Sequence, residues 1–143
     1  MAAVKNYKKV GPTFTNGEEC VTAEWDFAND AGATGALDIF EAGSAVVITH
    51  FHATVLTACT SGGSATLIAG ISGGDTDLFF NATAGAVANL TAGANLLPPA
   101  VEGTPNVLPL PYYLASGGKV IQTIGTAAMT AGKVKYVIKY IKA

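Results

Sequence analysis

The chain has 143 residues, half of them hydrophobic, with only 13% charged and a formal net charge of −2. That length suits one compact domain with a single core, and the apolar runs are far shorter than the ~20 residues a membrane helix needs. All eight cationic residues are lysines; with no arginine and no basic patch interleaved with aromatics, specific nucleic-acid recognition is not expected, and neither is a membrane partner.

Residues 1–17 carry Lys5, Lys8 and Lys9, a Gly11-Pro12 break and no clear periodicity. They read as an extended N-terminal arm with at most one short strand, ahead of a single domain over 18–143. The arm lacks the continuous apolar stretch of a signal peptide, so a reducing compartment is expected. Asn81-Ala82-Thr83 and Asn89-Leu90-Thr91 are then accidental triplets. Val4, Tyr7, Val10 and Phe14 set apolar anchors between the charges of Lys5, Lys8 and Lys9. A segment of that kind orders on a partner, which makes these seven residues the expected contact segment.

From Glu18 the pattern alternates: Val21, Ala23, Trp25 and Phe27 share one face, and Cys20, Thr22, Glu24 and Asp26 the other. Trp25 is the expected core anchor. Residues 29–35 read as a loop, and Ala36 to Glu41 as a short strand ending at Ala42-Gly43-Ser44.

The clearest signal is the alternation from Val46 to Cys59, which passes through Ser61-Gly62-Gly63-Ser64 into a second alternating run. Period two bounded by glycine predicts two antiparallel strands paired through a hairpin turn. Ser72-Gly73-Gly74-Asp75 reads as another hairpin turn, with Asp75 and Asp77 capping the reversal. Cys20 and Cys59, each inside a predicted strand, read as free thiols.

The stretch from Asp75 to Gly93 predicts a short strand and then a weakly helical segment. Five of the six prolines fall between Asn95 and Pro111. Such density predicts an extended surface loop that leads to a strand or sheet edge at Tyr112 to Leu114. Lys119 to Ile124 and Val134 to Ile141 flank Gly125 to Gly132 as a final hairpin. The last strand is apolar on both faces, through Val134, Tyr136, Ile138 and Tyr140 and through Val137 and Ile141, and so is expected to be covered on both sides. Lys133, Lys135, Lys139 and Lys142 are expected to decorate one exposed face or edge and to discourage wrong strand pairing.

About eight strands spaced by glycine-rich turns predict an all-β fold. The expected architecture is an antiparallel β-sandwich, jelly-roll-like, with the arm and the long Pro-rich loop outside it. Its core is expected to draw on Trp25, Phe27, Val46, Ile48, Leu56, Leu67, Ile71, Ile124, Val134 and Ile138. Phe51 and Val55, together with the second face of the last strand, would then be surplus apolar surface, which predicts a homo-oligomer, a trimer first.

Catalytic templates fail on spacing. The serines lie in glycine turns without a nucleophile elbow, neither cysteine has a CxxC partner, and the glycine-rich turns lack the lysine of a phosphate loop. His50 and His52 stand at i and i+2 on a strand, as in the cupin metal motif, but no glutamate follows them and the chain has no third histidine. They read as a pair hydrogen-bonded within the sheet or lining an intersubunit axis. No enzyme activity, cofactor or metal is expected, with a cupin-like metal-binding β-barrel enzyme as the alternative.

The order of the pair-and-turn at Ser61 to Phe79, a small-residue segment, the Pro-rich loop and the terminal run from Gly125 to Tyr140 resembles tailed-bacteriophage head decoration, or capsid cement, proteins. The resemblance covers roughly Ala42 to the C-terminus. It implies a small β-rich virion protein on the capsid exterior, made in the host cytoplasm, that assembles as a homotrimer and locks major capsid protein subunits together. A tail or baseplate component is the alternative within the same class.

Overall fold

A computed structural model describes residues 8–10, 17–99 and 109–143. Among these residues nine strands form two antiparallel sheets. The larger takes β1 (Lys8–Val10), β2 (Glu19–Asp26), β9 (Met129–Lys142), β4 (Val46–Ser61) and β6 (Asn95–Leu96) in that order, and β7 (Tyr112–Leu114) also pairs with β4. The smaller takes β3 (Gly35–Glu41), β8 (Lys119–Gly125) and β5 (Thr66–Ile71). A single helical turn, α1 (Phe27–Asp30), follows β2, and a 3₁₀ turn spans Val87–Asn89.

Pairing is nested. β2 pairs with β9, β3 with β8, and β4 with β6 and β7. β5 is met by isolated antiparallel bridges at Phe80 and Ala86. From β2 to β5, and again from β8 to β9, consecutive strands alternate between the sheets, while β5 and β8 pair within the smaller one, which is how a folded ribbon rolls up into a jelly roll. The expected all-β, jelly-roll-like sandwich is therefore the observed one.

Alternation decides which side chains enter the core. Val21, Ala23 and Trp25 on β2, Leu67 and Ala69 on β5, and Val134, Tyr136 and Ile138 on β9 are all buried. Phe51 stacks on Phe79 with centroids 4.3 Å apart, and Phe40 packs against Tyr140 at 5.2 Å. A polar contact crosses the core: the Tyr136 hydroxyl donates to Gln122 Oε1 at 2.6 Å, joining β9 to β8 between the sheets.

Several expectations need correction. The Ser61 to Ser64 turn does not close a hairpin: β4 lies in the larger sheet and β5 in the smaller, so the turn arches across the sandwich. The Gly125 to Gly132 connection does the same between β8 and β9. The arches support each other, Ser61 Oγ donating to the Ala128 carbonyl at 2.6 Å and the Thr60 and Thr130 hydroxyls sharing a 2.8 Å hydrogen bond. Period two reports that one face of a strand is buried; it does not say which strand lies alongside.

In β4 the register passes from Ile48 opposite Tyr140 to His50 opposite Lys139, so Thr49 is an extra residue in a bulge. Beyond a bulge the inward parity reverses. Phe51, Ala53 and Val55 are therefore core residues, whereas Leu56, expected in the core, is 46% exposed. Phe51 and Val55 accordingly offer no surface for an oligomer. Phe27 begins α1 instead of ending β2 and is half-buried against the core. β9, expected to be covered on both sides, is a central strand that carries Lys133, Lys135 and Lys139 on its outer face as expected, and among the described residues no second layer covers that face.

Candidate interaction surface

The outer face of the larger sheet gathers most of the polar residues that the sequence singles out. Down its centre runs β9, with Lys133, Lys135, Val137, Lys139 and Ile141 facing out. On one side stand Cys20, Thr22, Glu24 and Asp26 of β2, each opposite a β9 partner. On the other stand Val47, His50, His52 and Thr54 of β4.

Ion pairs lock one end of this face. Lys133 Nζ lies 3.0 Å from Asp26 and 3.7 Å from Glu24. The lysine hydrogen bond, and then the Ala28 N–H, hold the Asp26 carboxyl below its ordinary value, while the same partner raises Lys133. Asp26 also caps α1 by accepting from Ala28 N at 3.0 Å. At the other end the Thr49 hydroxyl donates to Glu18 Oε2 at 2.6 Å, while on the inward side of the same strands the Tyr140 hydroxyl donates to Glu19 Oε2 at 2.5 Å. Between them His50 Nε2 and His52 Nδ1 face each other at 2.7 Å, the rings nearly perpendicular at 74°. Partial burial, then His50 and Lys139, push the His52 imidazolium toward deprotonation.

Both edges of the sheet carry segments of interest. Lys8, Lys9 and Val10 of the expected contact segment form β1, in register with Thr22, Val21 and Cys20, and extend the sheet beyond β2. Val4, Lys5, Tyr7 and Phe14 lie outside the described residues. At the opposite edge Tyr113 of β7 and Leu97 just after β6 are each 61% exposed, the largest exposed hydrophobic surface among the described residues together with Leu56. They flank the Pro-rich loop, whose residues 100–108 lie outside the described part.

Elsewhere the polar residues serve the fold. Asp75 Oδ1 accepts from Asp77 N, and Asn81 Oδ1 from Thr83 N and Ala84 N, so these are turn caps. Asn89 Nδ2 donates to the Thr83 carbonyl. Lys119 Nζ bonds Asp38 Oδ2 at 2.8 Å across β3 and β8, a buried carboxylate that sequence reasoning did not single out. Its alternation with Leu37 and Ile39 gave no signal beyond a polar residue in a short strand.

The sandwich interior is filled by side chains. Recesses at Trp25 to Leu37, at Phe40 with Tyr140, and at Ala65 with Val87 measure about 180, 240 and 280 Å³, below the roughly 300–1,000 Å³ of small-molecule sites. Among the described residues no three His, Cys, Asp or Glu side chains come together, and no helix is long and apolar enough to cross a membrane.

No family model matches the chain, and no curated protein matches its sequence. Among solved structures it is similar to a chain of the cyanophage Pam1 capsid asymmetric unit, with a TM-score of 0.58 at 14% identity, covering 94% of this chain and 92% of that one. It is likewise similar to a chain of the acidic stable capsid structure of Helicobacter pylori bacteriophage KHP30, with a TM-score of 0.55 at 14% identity, covering 94% and 91%. At this identity the likeness is one of fold, and it runs through nearly the whole of each chain.

Proposed function

We propose that the chain is a non-enzymatic virion structural protein that decorates the exterior of a bacteriophage capsid, stabilising it by bridging major capsid protein subunits. The observation that carries this reading is the shared jelly roll: chains from two phage capsid structures match it over more than nine-tenths of their own length. The sequence resemblance to cement proteins points the same way. A cupin-like enzyme fits less well, because both histidines stand on the outer face of the sheet and the interior is packed with apolar side chains.

Cementing works through buried area, and stable interfaces bury ~1,200–2,000 Å². The arm, with Val4, Lys5, Tyr7, Lys8, Lys9, Val10 and Phe14, is the proposed contact with acidic capsid surface, and a homotrimer the proposed assembly. Deleting Met1 to Pro12 removes only the three-residue edge strand from the described sheet. The truncated protein is expected to unfold cooperatively but to be poorly retained on shells that lack the protein, measured by co-sedimentation. Undiminished retention would transfer the contact to the loop between Leu97 and Pro111. Failure of the full chain to bind any shell would end the decoration reading.

A further inference from the structure

The Thr49 bulge turns two imidazoles outward side by side and brings His50 Nε2 and His52 Nδ1 to 2.7 Å. Bulges recur where a strand must re-aim a side chain; had strict alternation continued from Ile48, both rings would have entered the core. Thr49 is itself tied down, donating to Glu18 Oε2 at 2.6 Å and lying 3.3 Å from the Lys139 carbonyl. The two ring nitrogens stand within hydrogen-bond distance of each other on backbone that is held in place.

We propose that His50 and His52 form a bidentate surface site for a divalent transition-metal ion of the Cu²⁺, Ni²⁺ or Zn²⁺ class. Imidazole nitrogens suit these ions and bind them at about 2.0–2.1 Å. Two such donors at a right angle lie about 2.9 Å apart, and at a tetrahedral angle about 3.4 Å apart. The observed 2.7 Å needs to open by only a few tenths of an ångström to reach the first value, which favours the square-planar preference of Cu²⁺ and Ni²⁺ over the tetrahedral one of Zn²⁺.

The ion takes the place of the proton that now bridges the rings. No proton needs to leave either imidazole, because that proton can move to the far nitrogen of its own ring, freeing both facing lone pairs. The other metal positions are open to water or to a donor from a partner. Lys139 stands opposite His50 in register and Lys135 opposite Thr54. Their charge opposes a cation, so the site is weaker than one with three protein ligands.

The test titrates the full chain at pH 7.5 with Cu²⁺, Ni²⁺ and Zn²⁺, each alone, read by calorimetry and by amide and imidazole NMR. One equivalent of Cu²⁺ or Ni²⁺ is expected to bind, with line broadening centred on Val47 to Thr54 and on Val137 to Lys139. His50→Ala and His52→Ala, each alone, are expected to lose the saturable phase, while Cys20→Ser keeps it. Both histidines point away from the core and are only partly buried, and the wild-type NMR map needs no variant. Absence of saturable binding, persistence of binding in either histidine variant, or broadening centred elsewhere would overturn the site. Shell binding plays no part in this readout, so its outcome is independent of the decoration reading.

Discussion

Trp25 shows how much one side chain decides. It is 1% exposed in the β2 face that packs onto the sandwich, and its indole N–H donates to the Ala31 carbonyl at 2.9 Å, so it fills the core and anchors the chain leaving α1. Trp25→Ala is expected to lower stability by about 3–5 kcal/mol, measured by urea unfolding. Gly132, with φ +141°, lies against the same ring, where an added Cβ would come within 3.0 Å of Trp25 and 2.6 Å of Cys59 Sγ. Cys59 is buried and its thiol is pushed up to about 11 by that burial. Since the thiolate is the reactive form, a thiol reagent at pH 8 is expected to label half-buried Cys20 and to reach Cys59 only when the protein unfolds. Equal labelling rates for the two, followed by mass spectrometry, would place Cys59 at the surface.

At the scale of elements, the β2 to α1 corner is the most informative. Ala31 ends α1 with φ 61° and ψ −179°, a conformation nearly restricted to glycine. Ala31→Gly is expected to raise stability by about 1 kcal/mol, read as a higher Tm. Asp26, which caps the same turn, has its pKa held below its ordinary 3.8 by Lys133 and the Ala28 N–H. A depressed carboxyl contributes stability that is complete above the unfolded value and is lost as pH falls through the folded one. The acid limb of the stability profile is therefore expected below about pH 4, and Asp26→Asn should flatten it. Lys133 is shifted upward, so its share persists below 10.5 and fades at more alkaline pH. Unfolding midpoints across pH 2 to 7 test the acid limb.

For the whole molecule, the outer face of the larger sheet is where apolar and charged residues mix. Val137 and Ile141 are half-buried there among lysines, and Tyr113 and Leu97 are exposed at its edge. That is less apolar surface than expected from the sequence, because the bulge returned Phe51 and Val55 to the core. The proposed trimer must therefore rest on edges, arm and loop instead of a bare hydrophobic face. Sedimentation equilibrium at micromolar concentration is expected to give three times the 14.4 kDa chain mass. A stable monomer both alone and on shells would exclude the trimer.

Sequence alone determined the strands. Alternation at β2, β4, β5, β8 and β9 and the glycine turns between them are local properties of side chains that must present one face to water and one to a core, so they can be read residue by residue. The jelly-roll class followed from their number and spacing. It could not determine which strands pair: the Ser61 to Ser64 and Gly125 to Gly132 turns look like hairpins, and only long-range packing makes them arches between sheets. Nor could it locate the Thr49 bulge, because an extra residue leaves no mark in composition and appears only against the register of β9. That one residue exchanges Leu56 for Phe51 and Val55 in the core and turns His50 toward His52 on the surface. Pairing and register are set by contacts between residues distant in sequence, which tertiary structure alone decides.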